Sequence, residues 1–373
     1  MKGALAGSWG EARRLLVVRL DNIGDVVMTG PVLRALKENL PGSHITLLAS
    51  PGGSKAAALL PWVDEVLAWR VLWQDLGHLS FDPARELELV ETLRSGSYDA
   101  AIILTSFKQT PHAAGYACYL AGIPLRLGGS KEWGGGVLSD EAPSAPDELH
   151  QVERNLRLIE HLGFRVQDRA LSIRVPEEVR GIAAQLLETR GVPLGSPYLL
   201  LNPWASAQAR TYPTDRFARA AGRLSEETGW PVVVTGTGKD RESASGLFEA
   251  LGDRGVDLIG ATGLPELAAL VEGARLVLTN NTSTMHLLDA LRVPGVVLFS
   301  GTELEEQWRP RSARHRLLRR ETWCSPCYAF ECPYNLECLD IPPEEVAEAG
   351  LSLLAEAGGD RAAKNPCQEE SRA

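Results

Sequence analysis

The sequence predicts an α/β protein of two Rossmann-like domains, each built around a parallel sheet. Short runs rich in Val, Ile and Leu alternate with longer amphipathic stretches, a pattern typical of buried parallel strands covered by helices on both faces. This alternation occurs twice along the chain. A length of 373 residues, 44% of them apolar, is sufficient for two domains with their own cores.

The first run of alternation contains five predicted strands and three predicted helices. The strands are expected at residues 14–19, 44–49, 65–69, 99–104 and 125–128. The helices are expected at residues 26–39, 84–95 and 111–121. Residues 129–148 are rich in Gly, Pro and acidic side chains, which predicts a surface loop.

The second run predicts a sheet of its own. Its strands are expected at residues 198–202, 231–236, 257–259, 275–279 and 295–300, and its helices at 214–229, 239–251, 265–273 and 283–291. A charged helix at 177–190, followed by GVPLGSP, is typical of a hinge between domains. The predicted boundaries are therefore 1–175, 176–340, and a C-terminal helix with a frayed tail over 341–373. About the first 12 residues are also expected to be frayed.

Composition and missing motifs exclude several classes of protein. The net charge of −10 argues against a general nucleic-acid binder. No apolar run approaches the roughly 20 residues of a membrane span, and we expect a cytoplasmic protein. There is no P-loop signature, and no G-x-G-x-x-G follows a strand. No D-x-D occurs, so protein groups rather than an anchored metal must hold any nucleotide diphosphate.

Asp25 is the first candidate functional residue. It lies in RLDNIGDVVM, where a buried strand ends and a helix begins, and this places its carboxylate at the ligand-binding edge of the predicted sheet. A cleft at that edge would make Asp25 available for acid–base chemistry. Helix capping explains the same residue equally well. The two roles are compatible if one carboxylate oxygen remains free.

A second candidate site lies in VLTNNTSTMHLLDAL, residues 277–291. A strand ends and a polar turn leads into a helix, which predicts an anion site built from backbone N–H groups and the helix dipole. The hydroxyls of Thr282 and Ser283 can add donors, and His286 could donate to a phosphate or ribose oxygen. Ordinary capping and a structural histidine are the alternatives.

Two further segments follow strands of the second domain. Arg210, just before Thr-Tyr-Pro, could grip a diphosphate, although a solvated surface arginine is the commoner fate. Asp240, in TGTGKD, could accept hydrogen bonds from ribose hydroxyls, although an acid in a first helical turn also favours the helix dipole.

Four of the six Cys residues fall within fifteen positions: Cys324, Cys327, Cys332 and Cys338. Four thiolates can form a structural zinc site, for which C-x2-C is a standard half, but the second spacing is unusual. Buried packing cysteines and a labile disulfide are the alternatives. The basic run RPRSARHRLLRR, residues 309–320, is interpreted as an exposed strand with solvated charges or as a contact for an anionic, membrane-linked acceptor.

Three of these segments together resemble glycosyltransferase family 9, the ADP-heptose:lipopolysaccharide heptosyltransferases. RLDNIGDVVMTGPVLRAL is similar to the family's N-terminal motif, NNTSTMHLLDAL to its C-terminal motif, and CSPCYAFECPYNLECLDIPPEEV to the Cys-bearing tail of many members. The resemblance covers roughly residues 14–350. Ser283 stands where the family usually has Gly, and Asn281 where well-studied members have Asp.

The resemblance implies a GT-B fold, with two Rossmann-like domains facing a central cleft, and an inverting transfer that requires no cofactor. It implies that the N-terminal domain binds a glycan or lipid-linked glycan acceptor and that the C-terminal domain binds a nucleotide-sugar donor, heptose being one candidate sugar. Asp25 matches the catalytic base. The implied donor-binding residues are Ser206, Arg210, Asp240, Asn281, Thr282, Ser283 and His286. The alternatives are a nucleotide-sugar epimerase or hydrolase of the same fold and a non-catalytic sugar-nucleotide- or glycan-binding subunit.

Overall fold

A computed structural model describes residues 7–363, with side chains described for residues 8–357. The chain divides into two compact units. The first runs to Arg174 and also includes Glu306–Trp308. The second comprises Val175–Glu305 and continues from Arg309.

The first unit is built around a parallel sheet of six strands within the described residues. The strands are β1 (Arg14–Arg19), β2 (His44–Ala49), β3 (Glu65–Ala68), β4 (Ala100–Ile103), β5 (Leu125–Gly129) and β6 (Asp140–Ala142). The helices are α1 (Ile23–Val27), α2 (Gly30–Asn39), α3 (Pro83–Ser95), α4 (His112–Leu120) and α5 (Gln151–His161). The strand order β3-β2-β1-β4-β5-β6 reverses direction at β1 and β4, where ligands bind in doubly wound sheets.

The second unit repeats this topology. Its described strands are β7 (Leu199–Asn202), β8 (Val232–Gly236), β9 (Gly255–Ile259), β10 (Leu276–Asn280), β11 (Gly295–Leu298) and β12 (His315–Leu318). The helices are α6 (Glu177–Glu188), α7 (Thr214–Thr228), α8 (Ser245–Leu251), α9 (Leu264–Gly273), α10 (Ser283–Leu291), α11 (Glu305–Trp308, shared with the first unit) and α12 (Pro343–Ala363). The order β12-β11-β10-β7-β8-β9 places its reversal between β10 and β7.

The central strands form because their side chains are buried on both faces of each sheet. β1 and β10 are buried along almost their whole length, and helices cover both sides. In the core of the second unit, Tyr212 and Phe217 pack edge to face with ring centroids 4.8 Å apart. The predicted fold class, α/β with parallel sheets in two Rossmann-like units, is therefore confirmed.

Several local predictions were wrong. The helix expected at 26–39 is interrupted between α1 and α2 because Pro31 lacks the N–H that a continuous helix requires, and fits only in a first turn. The helix expected at 239–251 begins as two short 3-10 turns before α8. The loop expected at 129–148 contains β6, an edge strand too short to show a periodic pattern. Helix α5 was not predicted.

The expectation of a frayed N-terminus is wrong for the residues that the structure describes there. Trp9 lies in a 3-10 helix (Gly7–Glu11), is 2% exposed, and donates its indole N–H to Asp140 Oδ2 at 3.1 Å. A buried indole satisfied in this way anchors the segment to the end of the sheet. Residues 1–6 and 364–373, which include the predicted tail and Cys367, lie outside the described residues.

Candidate functional site

The functional edge of the first unit is organised by Arg19, the last residue of β1. Its side chain is completely buried. The guanidinium Nη2 donates to Asp25 Oδ1 at 2.7 Å and to Ser106 Oγ at 2.9 Å. A buried guanidinium requires anionic partners, and both carboxylates that follow β1 supply them. Arg19 was not among the predicted site residues, because in the sequence it is only the polar end of a strand.

Asp21 is the second carboxylate at this edge. Its Oδ2 lies 3.0 Å from Arg19 Nε, and its Oδ1 accepts a hydrogen bond from Gln109 Nε2 at 2.5 Å. Burial raises the pKa of Asp21, the charge of Arg19 opposes that effect, and the neighbouring charge of Asp25 adds to it. The structure thus places a cation between two carboxylates at the switch point of the sheet.

Asp25 lies in the first turn of α1, and both of its oxygens are engaged. While Oδ1 accepts from Arg19, Oδ2 accepts the backbone N–H of Asn22 at 3.2 Å. The capping interpretation is therefore correct in geometry, and the expected free oxygen is absent from the described structure. Each oxygen of an ionised carboxylate has more than one acceptor position, so capping leaves room for one further hydrogen bond. The Asp25 side chain is 13% exposed.

In the second unit, the turn between β10 and α10 is held by Asn280. This buried amide accepts from the backbone N–H of Tyr212 at 3.1 Å and donates to the carbonyl of Pro203 at 2.7 Å. Asn280 thereby joins the end of β10 to the loop after β7. It was not among the predicted site residues, and its position at the end of a buried strand is the signal that could have identified it.

The predicted anion-binding turn has the expected form. Thr282 is the N-cap of α10 and has extended backbone angles, and Ser283 begins the helix with its side chain half-buried. Asn281 is 5% exposed, and its Oδ1 has no hydrogen-bond partner among the described residues. Burial lowers the pKa of His286 to about 4, so its imidazole is neutral near pH 7. A neutral imidazole keeps one N–H donor.

Arg210 is ion-paired rather than solvated. It ends a short 3-10 turn (Gln208–Arg210), and its Nη2 lies 3.0 Å from Glu303 Oε1. The other oxygen of Glu303 accepts from Asn281 Nδ2 at 3.2 Å. Glu303 therefore brings Arg210 and Asn281 together. Sequence reasoning missed Glu303 because its partners lie far away along the chain.

Ser206 lies in the loop after β7, which also contains Trp204, and Asp240 lies in the loop after β8. Asp240 Oδ2 accepts from the backbone N–H and the hydroxyl of Thr237 at 2.7 and 2.8 Å, so the capping interpretation of this acid is correct in geometry. Ser206 is exposed. Trp204 passes so close to Gly236 that a Cβ there would lie 2.3 Å from the indole nitrogen, which explains the glycine.

The four clustered cysteines line one cavity of about 450 Å³, next to Trp323 and Tyr334. Within residues 7–363, no three His, Cys, Asp or Glu side chains are grouped so that they could hold a metal ion. The described cysteines form no disulfide.

The same cysteine-bearing loop is tied to the predicted phosphate-binding segments. The backbone N–H of Ala209 donates to the carbonyl of Phe330 at 3.0 Å, and the N–H of Cys332 donates to Gln208 Oε1 at 2.9 Å. Of the four clustered cysteines only Cys338 is buried, whereas Cys324 and Cys332 are half-buried and Cys327 is exposed, so the alternative of buried packing cysteines fits Cys338 alone.

The basic run contains a strand, β12, as one interpretation predicted. Much of its charge is paired within the second unit, since Arg316 contacts Glu356 and Arg320 contacts Glu345. No helix formed by the described residues is long and apolar enough to span a membrane.

Taken separately, the two units offer complementary chemistry. The first presents carboxylates at a sheet edge, which can accept a proton. The second presents backbone and hydroxyl donors at a helix N-terminus with one arginine, which can hold a diphosphate. Two doubly wound units of this kind are typical of the nucleotide-sugar enzymes of the GT-B fold, and comparison with known proteins identifies the family.

The model of glycosyltransferase family 9 (heptosyltransferase) matches residues 87–337. Lipopolysaccharide heptosyltransferase 2 of Salmonella typhimurium is 26% identical over 358 residues, covering 92% of this chain and 99% of that protein. Lipopolysaccharide heptosyltransferase 3 of Escherichia coli is 27% identical over 342 residues, covering 89% and 96%. The chain belongs to glycosyltransferase family 9, as the resemblance of its motifs indicated, and is a glycosyltransferase.

Solved structures support the same fold. A family 9 glycosyl transferase from Veillonella parvula superimposes with a TM-score of 0.77 at 22% identity, covering 92% of this chain and 97% of that one. The structure of ADP-heptose lipopolysaccharide heptosyltransferase II from Escherichia coli gives a TM-score of 0.73 at 24% identity, with coverages of 92% and 99%. The predicted GT-B fold class is thereby confirmed.

Proposed function

We propose that this enzyme transfers a heptose from ADP-heptose to a lipopolysaccharide-type acceptor, with inversion at the anomeric carbon and without a metal ion. The lipopolysaccharide heptosyltransferases that it resembles along almost their whole length support the donor and the acceptor class. The single observation that carries the mechanism is the contrast between the two sheet edges, which are anionic in the first unit and rich in neutral donors in the second.

The second unit, within the predicted boundaries 176–340, binds the donor. The first N–H groups of α10, with the hydroxyls of Thr282 and Ser283, hold the diphosphate, and Arg210 exchanges Glu303 for a phosphate oxygen. The remaining predicted donor-binding residues contact the donor from the loops after β7, β8 and β10 and from the first turn of α10: Ser206, Asp240, Asn281 and His286.

The first unit, within the predicted boundaries 1–175, binds the acceptor. A cavity of about 380 Å³ opens at the ends of β2 and β3, lined among others by Leu20, Trp69, Arg70 and His78. The indole of Trp69 offers an apolar surface for a sugar ring. The guanidinium of Arg70, whose Nε lies 3.1 Å from Asp75 in the same cavity, suits an anionic substituent that replaces this carboxylate. Both properties match a charged glycan.

Asp25 acts as the general base. It removes the proton from the acceptor hydroxyl while the hydroxyl oxygen forms a bond to the anomeric carbon, and the bond from that carbon to the diphosphate breaks. The departing diphosphate gains negative charge, which the α10 N-terminus and Arg210 stabilise in place of a metal ion. Attack on the face opposite the leaving group inverts the anomeric centre.

The test is Asp25→Asn, assayed with ADP-heptose and a truncated lipopolysaccharide that lacks heptose. Loss of the base should lower kcat by roughly 10²–10⁴-fold, while the affinity for ADP measured by calorimetry stays unchanged. Asp64→Asn is the matched control, since Asp64 pairs with Lys37 at the end opposite to the predicted site in the same sheet. Unchanged turnover by Asp25→Asn would exclude the assigned base.

The same assay without acceptor separates the alternatives. A transferase leaves ADP-heptose almost intact, whereas an epimerase or hydrolase consumes it. Donor binding without turnover in any acceptor mixture would indicate a non-catalytic subunit.

A further inference from the structure

Arg19, Asp21 and Asp25 form a buried group that we name the acid–arginine trio. Arg19 contacts Asp21 Oδ2 through Nε at 3.0 Å and Asp25 Oδ1 through Nη2 at 2.7 Å. The Arg19 side chain is 0% exposed, and the two carboxylates are 12% and 13% exposed. One cation thus stands between two anions where water screens charge poorly.

The trio carries a net charge of −1 when all three groups are ionised, so one carboxylate is in excess. The pKa of Asp21 rises for reasons that include the charge of Asp25, which means that the two acids repel each other across Arg19. Gln109 holds Asp21 from the other side and also accepts the backbone N–H of Ser106, the residue that binds Arg19. Hydrogen bonds hold Asp25 Oδ1 to Arg19 Nη2 and Asp21 Oδ1 to Gln109 Nε2. Arg19 Nε faces Asp21 Oδ2 as an ion pair without a hydrogen bond.

We propose that Asp21 is a positioning residue for catalysis: it neutralises Arg19, so that Arg19 can orient Asp25 without cancelling its charge. This inference rests on the proposed role of Asp25 as the base. Asp21 itself does not touch the substrate, and it acts through Arg19.

The reason is the charge of the trio before and after proton transfer. When Asp25 takes the acceptor proton, the trio goes from −1 to neutral, which a buried site favours. Without Asp21, the same proton would convert a neutral Arg19–Asp25 pair into a buried cation with no partner, which is costly. Asp21 therefore makes Asp25 an effective proton acceptor although an arginine is bound to it.

Three further cations lie on the elements around the trio. The 3-10 helix Gly53–Leu59 packs against α1 and carries Lys55, and Lys108 lies in the loop that contains Ser106 and Gln109. Arg154 of α5 has a lowered pKa, mainly because of burial and in part because of the charge of Arg19, and it lies 3.9 Å from Asp147. These cations remain in every variant proposed below.

The experiment measures kcat/KM against pH for the full-length enzyme with ADP-heptose and the truncated lipopolysaccharide. In Asp21→Asn, Arg19 acts on Asp25 alone. We therefore expect the acidic limb of the pH profile, where activity rises with pH, to move to lower pH by about one unit, and the maximum kcat/KM to fall. Arg19→Met should move the limb in the opposite direction, by on the order of one to three units. The double variant R19M/D21N removes a neutral pair, and its limb should lie close to that of the wild type.

Opposite shifts that cancel in the double variant are not expected from a general loss of structure. Asp64→Asn again serves as the control, with an unchanged limb. If Arg19→Met does not fold, Asp21→Asn and the double variant decide the matter, because the first is isosteric and the second leaves no extra buried charge. An unshifted limb in Asp21→Asn, or one shifted to higher pH, overturns the inference. Full activity in Asp25→Asn overturns the base assignment instead.

Discussion

The two sheets share one topology but carry different chemistry at their carboxyl ends. The first ends in the acid–arginine trio, with three ionisable groups in direct contact. The second ends in Asn280, the Thr282 turn and a neutral His286, with Arg210 and Glu303 as its ion pair. The strand order therefore provides only the place for a site, and the residues that follow the strands decide what the site does.

In the proposed mechanism this difference assigns proton transfer and anion binding to separate units. A group that accepts a proton must change its charge, and the trio can do so. Donors that hold a diphosphate should keep the same protonation state throughout the reaction, as backbone N–H groups, hydroxyls and a histidine with a pKa of about 4 do near neutral pH. The pH dependence of turnover is thus expected to originate in the first unit.

The largest expected effect is a difference in the free energy of unfolding between substitutions at the carboxyl ends of the two sheets. Arg19→Met should lower the free energy of unfolding by about 3–5 kcal/mol, because two buried carboxylates lose their cation. Asn280→Ala should cost less, about 1–3 kcal/mol, because the Tyr212 N–H and the Pro203 carbonyl lose a neutral partner. Urea denaturation monitored by tryptophan fluorescence measures both values.

Arg254→Met is the control for this contrast, since Arg254 pairs with Glu226 at the surface and both side chains are at least half exposed. Its loss should cost less than about 1 kcal/mol. An Arg19→Met protein as stable as this control would contradict the description of the trio as a buried ionic group.

The next effect is the loss of stability at acid pH that the buried His286 causes. Its pKa of about 4 in the folded protein lies below the ordinary 6.5, so the unfolded chain takes up the proton first and stability falls as the pH drops from about 6.5 toward 4. Between pH 7 and pH 5 this loss should amount to about 2 kcal/mol. His286→Gln should lose that much less stability than the wild type over the same interval, as measured by urea denaturation at both pH values. Equal losses would mean that His286 is not buried in its neutral form.

The smallest expected effect is a change in the affinity for ADP at the proposed anion site. Glu303→Gln removes the carboxylate that competes for Arg210, and ADP should bind about three- to fivefold more tightly, which corresponds to roughly 1 kcal/mol. Calorimetric titration with ADP measures the change. Asp340→Asn is the matched control, because Asp340 pairs with Arg216 at 2.7 Å on an exposed surface and its loss should leave ADP affinity unaltered. Weaker binding to Glu303→Gln would show that Glu303 orients Arg210 rather than competing for it.

The sequence was sufficient to predict the parts of the fold that hydrophobic burial determines. Strands such as β1 and β10 were predicted because their buried residues are apolar up to the last one or two positions, and α10 because its polar cap precedes an apolar helix. Strand β6 was missed because its three residues are too few to show the alternation of apolar and polar side chains that predicts a strand. The break before α2 was missed because the effect of Pro31 was not weighed against the longer helical pattern.

The candidate site was predictable only where a motif is continuous in the chain. Asp25, Thr282 and Ser283 each lie next to the element that positions them. The partners that determine their charge do not, because Glu303 reaches Arg210 and Gln109 reaches Asp21 only after folding. Sequence patterns therefore identified which groups are present, and only the structure showed which of them are neutralised.

The ion pair between Arg210 and Glu303 has a consequence for selectivity. A solitary arginine beside a helix N-terminus attracts any abundant anion, such as inorganic phosphate or sulfate. If Arg210 binds the donor diphosphate as proposed, the Glu303 carboxylate, tethered in the same protein and already in contact at 3.0 Å, competes with free phosphate and sulfate ions, which therefore displace it poorly. Only a ligand that gains contacts elsewhere along the same molecule can offset that competition, which favours an extended nucleotide over simple salts.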